Sequence, residues 1–392
     1  MSTAIRSKQI ISAITQVIGD SPHPVALHEP LFQGNEEKYV ASCIREGWVS
    51  SVGAFVDRFE RDLANITGAK HVVAVVNGTA ALHIALVACG VESGDEVLLP
   101  SFTFVATANS VVHAGAVPHF VEIEEKSLGI CPLKLKKYLL EIAASKNGFT
   151  INKNTGRIIR AIVPVDIFGH PCQLTELREI AAEYNILLIE DATEALGSQR
   201  DGKPVGSSGI AVLSFNGNKI ITTGGGGAVL VDNEALYKKI KHLTTTAKKL
   251  HQFAFEHDAV AWNYRLPNIN AALGCAQLEQ LPNYIKAKRV LAERYMEAFK
   301  NIAGLSILQE PENTISNYWL VALVNDNDDA NWRDEMLAEL HAAQILCRPA
   351  WTPLHLLPMY LGNPRADLAI TESMHRRIIN LPSSVKLGLQ YA

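Results

Sequence analysis

Hydrophobic positions along the chain form short, nearly continuous runs that alternate with longer stretches of helical spacing. From about residue 70, the segments HVVAVV, EVLLP and PHFVEIE have the apolar character of buried strands. The alternation resumes at RIIRAIVPVDIFG and continues to ILLIEDAT. Strands that are apolar on both faces and separated by helices predict an α/β fold, with a mostly parallel central sheet flanked by helices.

The pattern changes beyond about residue 275, where a long helical stretch, a charged helix and short strands predict a smaller α/β unit. Near the N-terminus, Ile10, Ile14, Val17 and Ile18 fall on one face of a predicted helix. The predicted parts are an N-terminal helical arm, a large domain and a small C-terminal α/β domain, over residues 1–27, 28–275 and 276–392.

Composition narrows the class of protein. The 36 Lys and Arg residues are balanced by 40 Asp and Glu, so no nucleic-acid-binding surface is indicated. No apolar run approaches the roughly 18 residues of a membrane span, and the first 20 residues lack the apolar core of a signal peptide. The six cysteines show neither CxxC pairs nor zinc spacing. We therefore expect no membrane association, no metal site, no disulfide framework and a cytoplasmic location.

A strand-to-helix turn in VVNGTAAL is the first candidate for chemistry. Gly78 and Thr79 begin the predicted helix, where unpaired N–H groups and the helix dipole favour a phosphate. The alternative is that Asn77 or Thr79 only caps the helix. GxGxxG is absent from this turn and GxxxxGK[ST] from the chain, which argues against a dinucleotide or a P-loop nucleotide and leaves a smaller phosphate ligand.

A carboxylate and an amine complete the set. Asp191 ends the apolar strand ILLIE, and Lys219 precedes the glycines 224–227, which allow close backbone approach and positive φ angles. Separately, Asp191 is also explained as a loop cap or a salt-bridge partner, and Lys219 as a surface lysine. Together, a phosphate cradle, a carboxylate for a pyridinium nitrogen and a nucleophilic amine are the parts that pyridoxal 5′-phosphate (PLP) requires.

The order of motifs is specific to one family. The chain resembles the PLP-dependent nucleotide-sugar aminotransferases of the DegT type, within the type I PLP-dependent transferase (aspartate aminotransferase) fold, from about residue 28 to 384. The segments that carry the resemblance are GWVSSVGAFVDRFE, NGTAAL, PSFTFVATANSVVHAGAVPHFVEIE, PVDIFGHPC, IEDATEALGS, SFNGNKIITTGGGG and NYRLPNINAALGCAQLEQL.

The resemblance implies roles for individual residues. Lys219 would hold PLP covalently and carry the proton between substrate and cofactor, and Asp191 would keep the pyridinium nitrogen protonated. The other implied cofactor contacts are the phosphate-binding Gly78, Thr79 and Ser214, the ring-stacking Phe104, and Asn263, which would reach the phosphate of a neighbouring subunit in a homodimer with shared active sites.

One position departs from the family pattern. Where the family often has Gln or His three residues after the aspartate, this chain has Glu194, which could lie near O3′ of PLP. A carboxylate there would need a proton or a compensating donor.

Within the family, HEPLFQGNEEKYVASCIREGWVSSVG, CRPAWTPLHLLPMY and NLPSSVKL look similar to enzymes that aminate C4 of a UDP-linked 2-acetamido-2,6-dideoxy-4-keto-hexose. Such enzymes serve the bacillosamine and legionaminic acid routes to bacterial surface glycans. The implied donor is L-glutamate, with pyridoxamine phosphate between the two half reactions. The alternatives are another keto position, a GDP-linked 4-keto sugar, or a regulatory protein that uses the fold without catalysis.

Contacts to the sugar nucleotide are predicted from residue type. Trp48 and Ser50 offer an aromatic face and a hydroxyl, and Arg348 and His355 offer cationic donors. Trp48 and His355 are equally well explained as core residues. The lysine-rich run KKIKHLTTTAKKLHQF is typical of a solvated helix face, with diphosphate binding as the alternative.

Overall fold

A computed structural model of the chain describes residues 3–392, with side chains from residue 7 onward. The helices are α1 Thr3–Ile18, α2 Glu36–Glu46, α3 Ala54–Thr67, α4 Gly78–Ala88, α5 Ala106–His113, α6 Pro132–Ile142, α7 Leu174–Glu183, α8 Glu234–Thr244, α9 Asn268–Phe299, α10 Ala330–Ala342, α11 Ala369–Arg377 and α12 Val385–Leu389. The strands are β1 His71–Val75, β2 Glu96–Pro100, β3 Val117–Val121, β4 Ala143–Lys146, β5 Phe149–Asn152, β6 Ile159–Ile162, β7 Leu187–Leu188, β8 Glu190–Asp191, β9 Gln199–Arg200, β10 Lys203–Pro204, β11 Ile210–Ser214, β12 Gly227–Val231, β13 Leu305–Ile307, β14 Thr314–Ile315, β15 Val321–Asn325, β16 Arg348–Pro349 and β17 Ile378–Leu381.

The central sheet has two four-stranded groups, in the orders β3-β2-β6-β7 and β8-β11-β12-β1. The strands β7 and β8 continue one another across Ile189, whose N–H donates to the carbonyl of Ile162 while the N–H of Asp191 donates to that of Pro164. All neighbouring pairs are parallel except those of β12, which is antiparallel to both β11 and β1. The predicted mostly parallel sheet flanked by helices is confirmed, and β12 is its exception.

The C-terminal part has its own antiparallel sheet, in the order β13-β15-β17-β16. The predicted apolar face of α1 packs into its core, where Ile10, Ile14 and Ile18 are fully buried against Leu291 and Tyr295 of α9. The N-terminal helix thus shares a core with the C-terminal sheet. None of the helices in residues 3–392 is long and apolar enough to cross a membrane.

The helix α9 begins earlier than the sequence pattern predicts. The helical stretch in the sequence begins at Leu281, whereas the helix begins at Asn268 and passes through Pro282. Leu278 and Leu281 are buried in the core of the large sheet, as is Tyr284. This packing on both sides of the proline outweighs the backbone hydrogen bond that the proline cannot donate.

Candidate functional site

A cavity of about 320 Å³ opens at the C-terminal ends of β8 and β11, where the N-terminus of α4 meets the loop after β2. It brings together seven of the eight predicted cofactor contacts, which are Gly78, Thr79, Phe104, Asp191, Glu194, Ser214 and Lys219. Residues that are distant in sequence therefore share one wall, as expected for the ligand-binding edge of an open α/β sheet.

The start of α4 forms one end of the cavity. The side chain of Asn77 accepts a hydrogen bond from the N–H of Ala80 at 2.7 Å, so it caps the helix. A Cβ atom at Gly78 would lie 2.9 Å from Cβ of Ser214, so only glycine lets the helix start approach that hydroxyl-bearing residue. The first N–H groups of the helix have no intrahelical partner. Together with the Ser214 hydroxyl, they provide donors suited to a phosphate group.

The glycine run after Lys219 supports this helix start. Gly224 has φ +78°, in the left-handed region that favours glycine. A Cβ atom at Gly227 would lie 2.5 Å from the carbonyl oxygen of Asn77. Position 227 therefore has no room for a side chain, because β12 passes directly against the turn before α4.

Asp191 is 3% exposed and lies in the cavity wall. Its carboxylate accepts hydrogen bonds from the hydroxyl of Thr107 at 2.9 Å and the N–H of Thr193 at 3.3 Å. Burial raises the pKa of Asp191, and the bonds from Thr193 and Thr107 oppose that rise. The carboxylate is fixed in place and faces a cavity in which a cationic ring nitrogen would be its natural partner.

Lys219 and Glu194 form an ion pair in the same wall. The Nζ of Lys219 lies 3.3 Å from Oε1 of Glu194, and the lysine side chain is only 12% exposed. The other carboxylate oxygen of Glu194 accepts a hydrogen bond from the N–H of Phe168 at 2.9 Å. Burial raises the pKa of Glu194, while the Lys219 charge opposes the rise. Lys219 is thus a cavity lysine and not a surface one.

Three aromatic residues also line the cavity, and two of them, Trp319 and Trp351, were missed from the sequence. Phe104 is 52% exposed and lies 6.4 Å, centroid to centroid, from Trp351. Trp351 lies 6.5 Å from Trp319 with the two rings nearly parallel. Both tryptophans lie more than 90 positions from Lys219 along the chain, so no local motif connects them with the site. The signal that could have marked Trp319 is its place at the start of a strand-like apolar run, in NYWLVALV, and no comparable signal marks Trp351 in CRPAWTP.

Asn263, Trp48, Ser50 and Arg348 are not brought to this cavity within the chain. Trp48 is 56% exposed, which excludes the explanation that it is a core residue. Asn263 is also exposed, as are Ser50 and the strand residue Arg348. The carbonyl oxygen of Ser50 accepts a hydrogen bond from the N–H of Asn268 at 2.6 Å, so the loop is tied to the start of α9.

His355 is a buried histidine with both ring nitrogens engaged. It is 2% exposed, with Nδ1 2.7 Å from the hydroxyl of Ser101 and Nε2 3.1 Å from Glu372. These contacts agree with the interpretation of His355 as a core residue. The lysine-rich helix α8 likewise has its charges in local contacts, including Lys238 with Glu234 and Lys241 with Glu60.

The donor set fits PLP, and the described residues contain no arrangement of three or more His, Cys, Asp or Glu suited to a metal ion. The fit is seen in the space kept open by Gly78, in the buried carboxylate of Asp191 and in the amine of Lys219 on the same cavity wall. A phosphate, a pyridine nitrogen and an aldehyde would each meet a complementary group.

Comparisons with known proteins agree with this chemistry. Residues 31–391 match the model of the DegT/DnrJ/EryC1/StrS aminotransferase family. The chain is 40% identical to a GDP-perosamine synthase of Vibrio cholerae, over 92% of this chain and 94% of that one, and 35% identical to a GDP-perosamine synthase of Escherichia coli O157:H7, over 93% and 94%. The crystal structure of a DegT DnrJ EryC1 StrS aminotransferase from Brucella abortus superposes with a TM-score of 0.80 at 28% identity, covering 90% of each chain.

Proposed function

The chain belongs to the DegT/DnrJ/EryC1/StrS aminotransferase family, whose members are PLP-dependent, and from this premise we propose that it aminates C4 of a nucleotide-linked 4-keto-6-deoxyhexose. The amino donor is L-glutamate. The observation that carries the proposal is the placement of Lys219, Asp191 and the start of α4 around one cavity. A binding protein without catalysis would have no need for a buried amine there.

Each residue of the cavity has a task in this reaction. When bound, PLP supplies an aldehyde that captures amines and a pyridinium ring that stabilises a neighbouring carbanion. The Nζ of Lys219 would form the covalent attachment and would carry a proton to and from the substrate carbon. The carboxylate of Asp191 would keep the ring nitrogen protonated. Phe104 would contact the ring, and the N–H groups of Gly78 and Thr79 with the Ser214 hydroxyl would hold the phosphate.

Glu194 provides a negatively charged partner for the amine of Lys219. It holds Lys219 by an ion pair at 3.3 Å and is itself held by the Phe168 N–H. With a carboxylate at this place, the amine has a fixed partner whenever it is released from the cofactor.

The proposal also concerns the nucleotide to which the sugar is linked. Two relatives that are 35–40% identical are GDP-perosamine synthases, which favours a GDP-linked 4-keto sugar. The second candidate is the UDP-linked 2-acetamido-2,6-dideoxy-4-keto-hexose of the bacillosamine and legionaminic acid routes. It is favoured by the segments around residues 28–53, 347–360 and 380–387, which resemble enzymes that use that sugar.

A second copy of the chain completes the proposed site. Asn263 lies outside the cavity of its own chain, on an exposed segment. Nearby in sequence, Leu250, Phe253 and Phe255 are 104%, 81% and 79% exposed. Burial of such apolar side chains favours association. We propose a homodimer in which this segment reaches the partner's cavity. The six free cysteines accord with the proposed reducing, cytoplasmic location.

An absorbance spectrum tests the reaction class directly. The protein with PLP should show a long-wavelength band that L-glutamate removes and that Lys219→Ala never forms. Subsequent addition of a 4-keto sugar nucleotide should restore the band. A protein that binds PLP but ignores glutamate would refute the proposed donor. The ratio of kcat/KM for GDP-linked and UDP-linked 4-keto sugars then decides the nucleotide.

A further inference from the structure

The indole ring of Trp319 lies against the amine of Lys219. The Nζ atom is 3.9 Å from the ring centroid, within the range of a cation–π contact. The indole N–H donates a hydrogen bond of 2.6 Å to the carbonyl oxygen of Asn218, the residue before Lys219. One side chain therefore contacts both the head group of the lysine and the peptide that carries it.

Trp319 is itself fixed by contacts with residues other than Lys219. It is 3% exposed, and its backbone N–H donates to Oδ1 of Asn317 at 2.8 Å. Its carbonyl oxygen accepts a hydrogen bond of 2.8 Å from the Nζ of Lys288, a fully buried lysine that also donates to the carbonyl oxygen of Ser383. The indole ring stacks on Trp351. The backbone and the ring of Trp319 are thus both held by contacts that do not involve the Lys219 side chain.

Asn317, two residues before Trp319, is hydrogen-bonded to the backbone of Glu194, the other partner of the ion pair. Its side-chain amide donates to the carbonyl oxygens of Glu194 and Leu196 at 2.9 and 3.0 Å. The segment from Asn317 to Trp319 thus contacts both partners of the Lys219–Glu194 ion pair. The carboxylate fixes the amine from one side, and the aromatic face limits its movement on the other.

We propose that Trp319 is a positioning residue that holds the ε-ammonium group of Lys219 beside Glu194 through the face of its indole ring. This inference rests on the proposed function, in which Lys219 is the reacting amine. Lysine has four rotatable side-chain bonds, and a fixed ring face restricts them before the reaction begins.

The test uses the full-length chain free of PLP, with labelling of Lys219 by 1-fluoro-2,4-dinitrobenzene followed by mass spectrometry. Only the neutral amine reacts. The labelling is run at pH 10, and the ratio of the rate at Lys219 to the rate at Lys238, a reference lysine whose side chain is 69% exposed, reports access to the amine. Trp319→Leu and Trp319→Met should raise this ratio about three- to tenfold, because they remove the ring face that restrains the amine.

Trp319→Phe keeps an aromatic face and should change the ratio less than twofold. Trp332→Leu is the matched control, since it truncates a buried tryptophan in the C-terminal core and should leave the ratio unchanged. Far-UV circular dichroism identifies variants that fail to fold, and Trp319→Met, with its unbranched and adaptable side chain, is the second variant if Trp319→Leu fails. An unchanged ratio in a folded Leu or Met variant, or an equal change in Phe and Met, would overturn the proposal.

With PLP and substrates, Trp319→Met should lower kcat of both half reactions about tenfold, with KM for glutamate within twofold. The failure of the proposed function is separable from this result. If Lys219→Ala retained normal turnover, Lys219 would not be the reacting amine, whatever the labelling of the Trp319 variants showed.

Discussion

Two buried clusters, each with two carboxylates and one cation, lie on opposite sides of β8. In the first, Arg200 bonds to Glu190 and Asp166, both at 3.2 Å. In the second, Lys219 pairs with Glu194 near Asp191. We refer to Asp166, Glu190 and Arg200 as the arginine cluster, and to Asp191, Glu194 and Lys219 as the lysine cluster. Because side chains alternate along a strand, the consecutive residues Glu190 and Asp191 belong to different clusters.

The difference between the clusters lies in the cation. Arg200 is fixed by bonds to two carboxylates and the carbonyl oxygen of Cys172, and its guanidinium keeps its proton under all ordinary conditions. Lys219 has a single carboxylate bond and faces a cavity. An amine can release its proton and form a covalent bond, whereas a guanidinium in this setting only holds structure. Equal numbers of buried charges can therefore serve stability at one site and chemistry at the other.

The largest expected effect is the loss of activity when the cation of the lysine cluster is removed. Lys219→Ala should lower glutamate-dependent transamination by at least about a thousandfold, because Lys219 is the only lysine that lines the cavity among the residues that the structure describes. The amount of keto acid released measures this loss. Lys241→Ala, which removes a lysine paired with Glu60 outside the cavity, is the control and should retain activity. Comparable activity in both variants would contradict the assignment.

The arginine cluster should show the opposite effect. Arg200→Met should lower the free energy of unfolding by about 3–5 kcal/mol, because two buried carboxylates would lose their cation. Urea titration measures the change, and kcat per folded molecule should stay within twofold of the wild type. Adding Glu190→Gln should recover part of the stability. If Lys219→Met were as destabilising as Arg200→Met, the comparison between the clusters would fail.

Asp191→Asn probes the carboxylate of the lysine cluster. We expect kcat of the glutamate half reaction to fall about a hundredfold, since an amide cannot keep the ring nitrogen protonated. Rapid-mixing absorbance measures the rate. Thr107→Val, which removes only the hydroxyl bond to Asp191, should cost severalfold. A larger loss from Thr107→Val than from Asp191→Asn would show that the carboxylate has no direct role.

The arginine cluster should also make stability depend on pH. Burial raises the pKa of Asp166 from its ordinary 3.8 to about 7, and the Glu190 charge adds to the rise. Between these values the native state holds a proton that the unfolded chain releases. Stability should therefore fall by about 2 kcal/mol from pH 5 to pH 7 and level off above. Urea titrations of Asp166→Asn should lack this part of the slope, and an identical slope would contradict the assignment.

The smallest effect concerns His355, a predicted substrate contact that is buried and pairs with the partly exposed Glu372. His355→Gln should lower stability by about 1 kcal/mol, because it weakens the bonds to Ser101 and Glu372. KM for the sugar nucleotide should remain within twofold, as measured by initial rates. A tenfold rise in KM without loss of stability would restore the predicted contact with substrate.

The sequence predicts those parts of the fold that local periodicity encodes. Continuous apolar strands and one-sided helices follow from the spacing of side chains, as the buried face of α1 confirms. The direction of β12 does not follow, because an apolar strand has the same composition whether it runs parallel or antiparallel to its neighbours. The start of α9 was missed because Pro282 is typical of a helix start, and only tertiary packing keeps it inside the helix.

The site is predictable to a similar degree. The turn at Gly78, the strand end at Asp191 and the lysine before the glycine run are local patterns with a chemical meaning. Trp319 and Trp351 were missed because their contacts with the site span about 100 residues or more, and buried tryptophans are commonly core residues. The contacts of Trp48 and Arg348 with the sugar nucleotide stay predictions that rest on side-chain type, and both residues are exposed outside the cavity of their own chain.

The long helix α9 also bears on dissection of the chain. Between Ala271 and Ala287 it packs into the core of the large sheet, and from Leu291 to Phe299 into the core of the C-terminal sheet. A cut at residue 275 would leave most of the helix with one fragment and deprive the other of a core wall. Neither fragment should then fold when it is expressed separately. In recombination or domain-swapping experiments, the two parts of the chain should therefore be exchanged together.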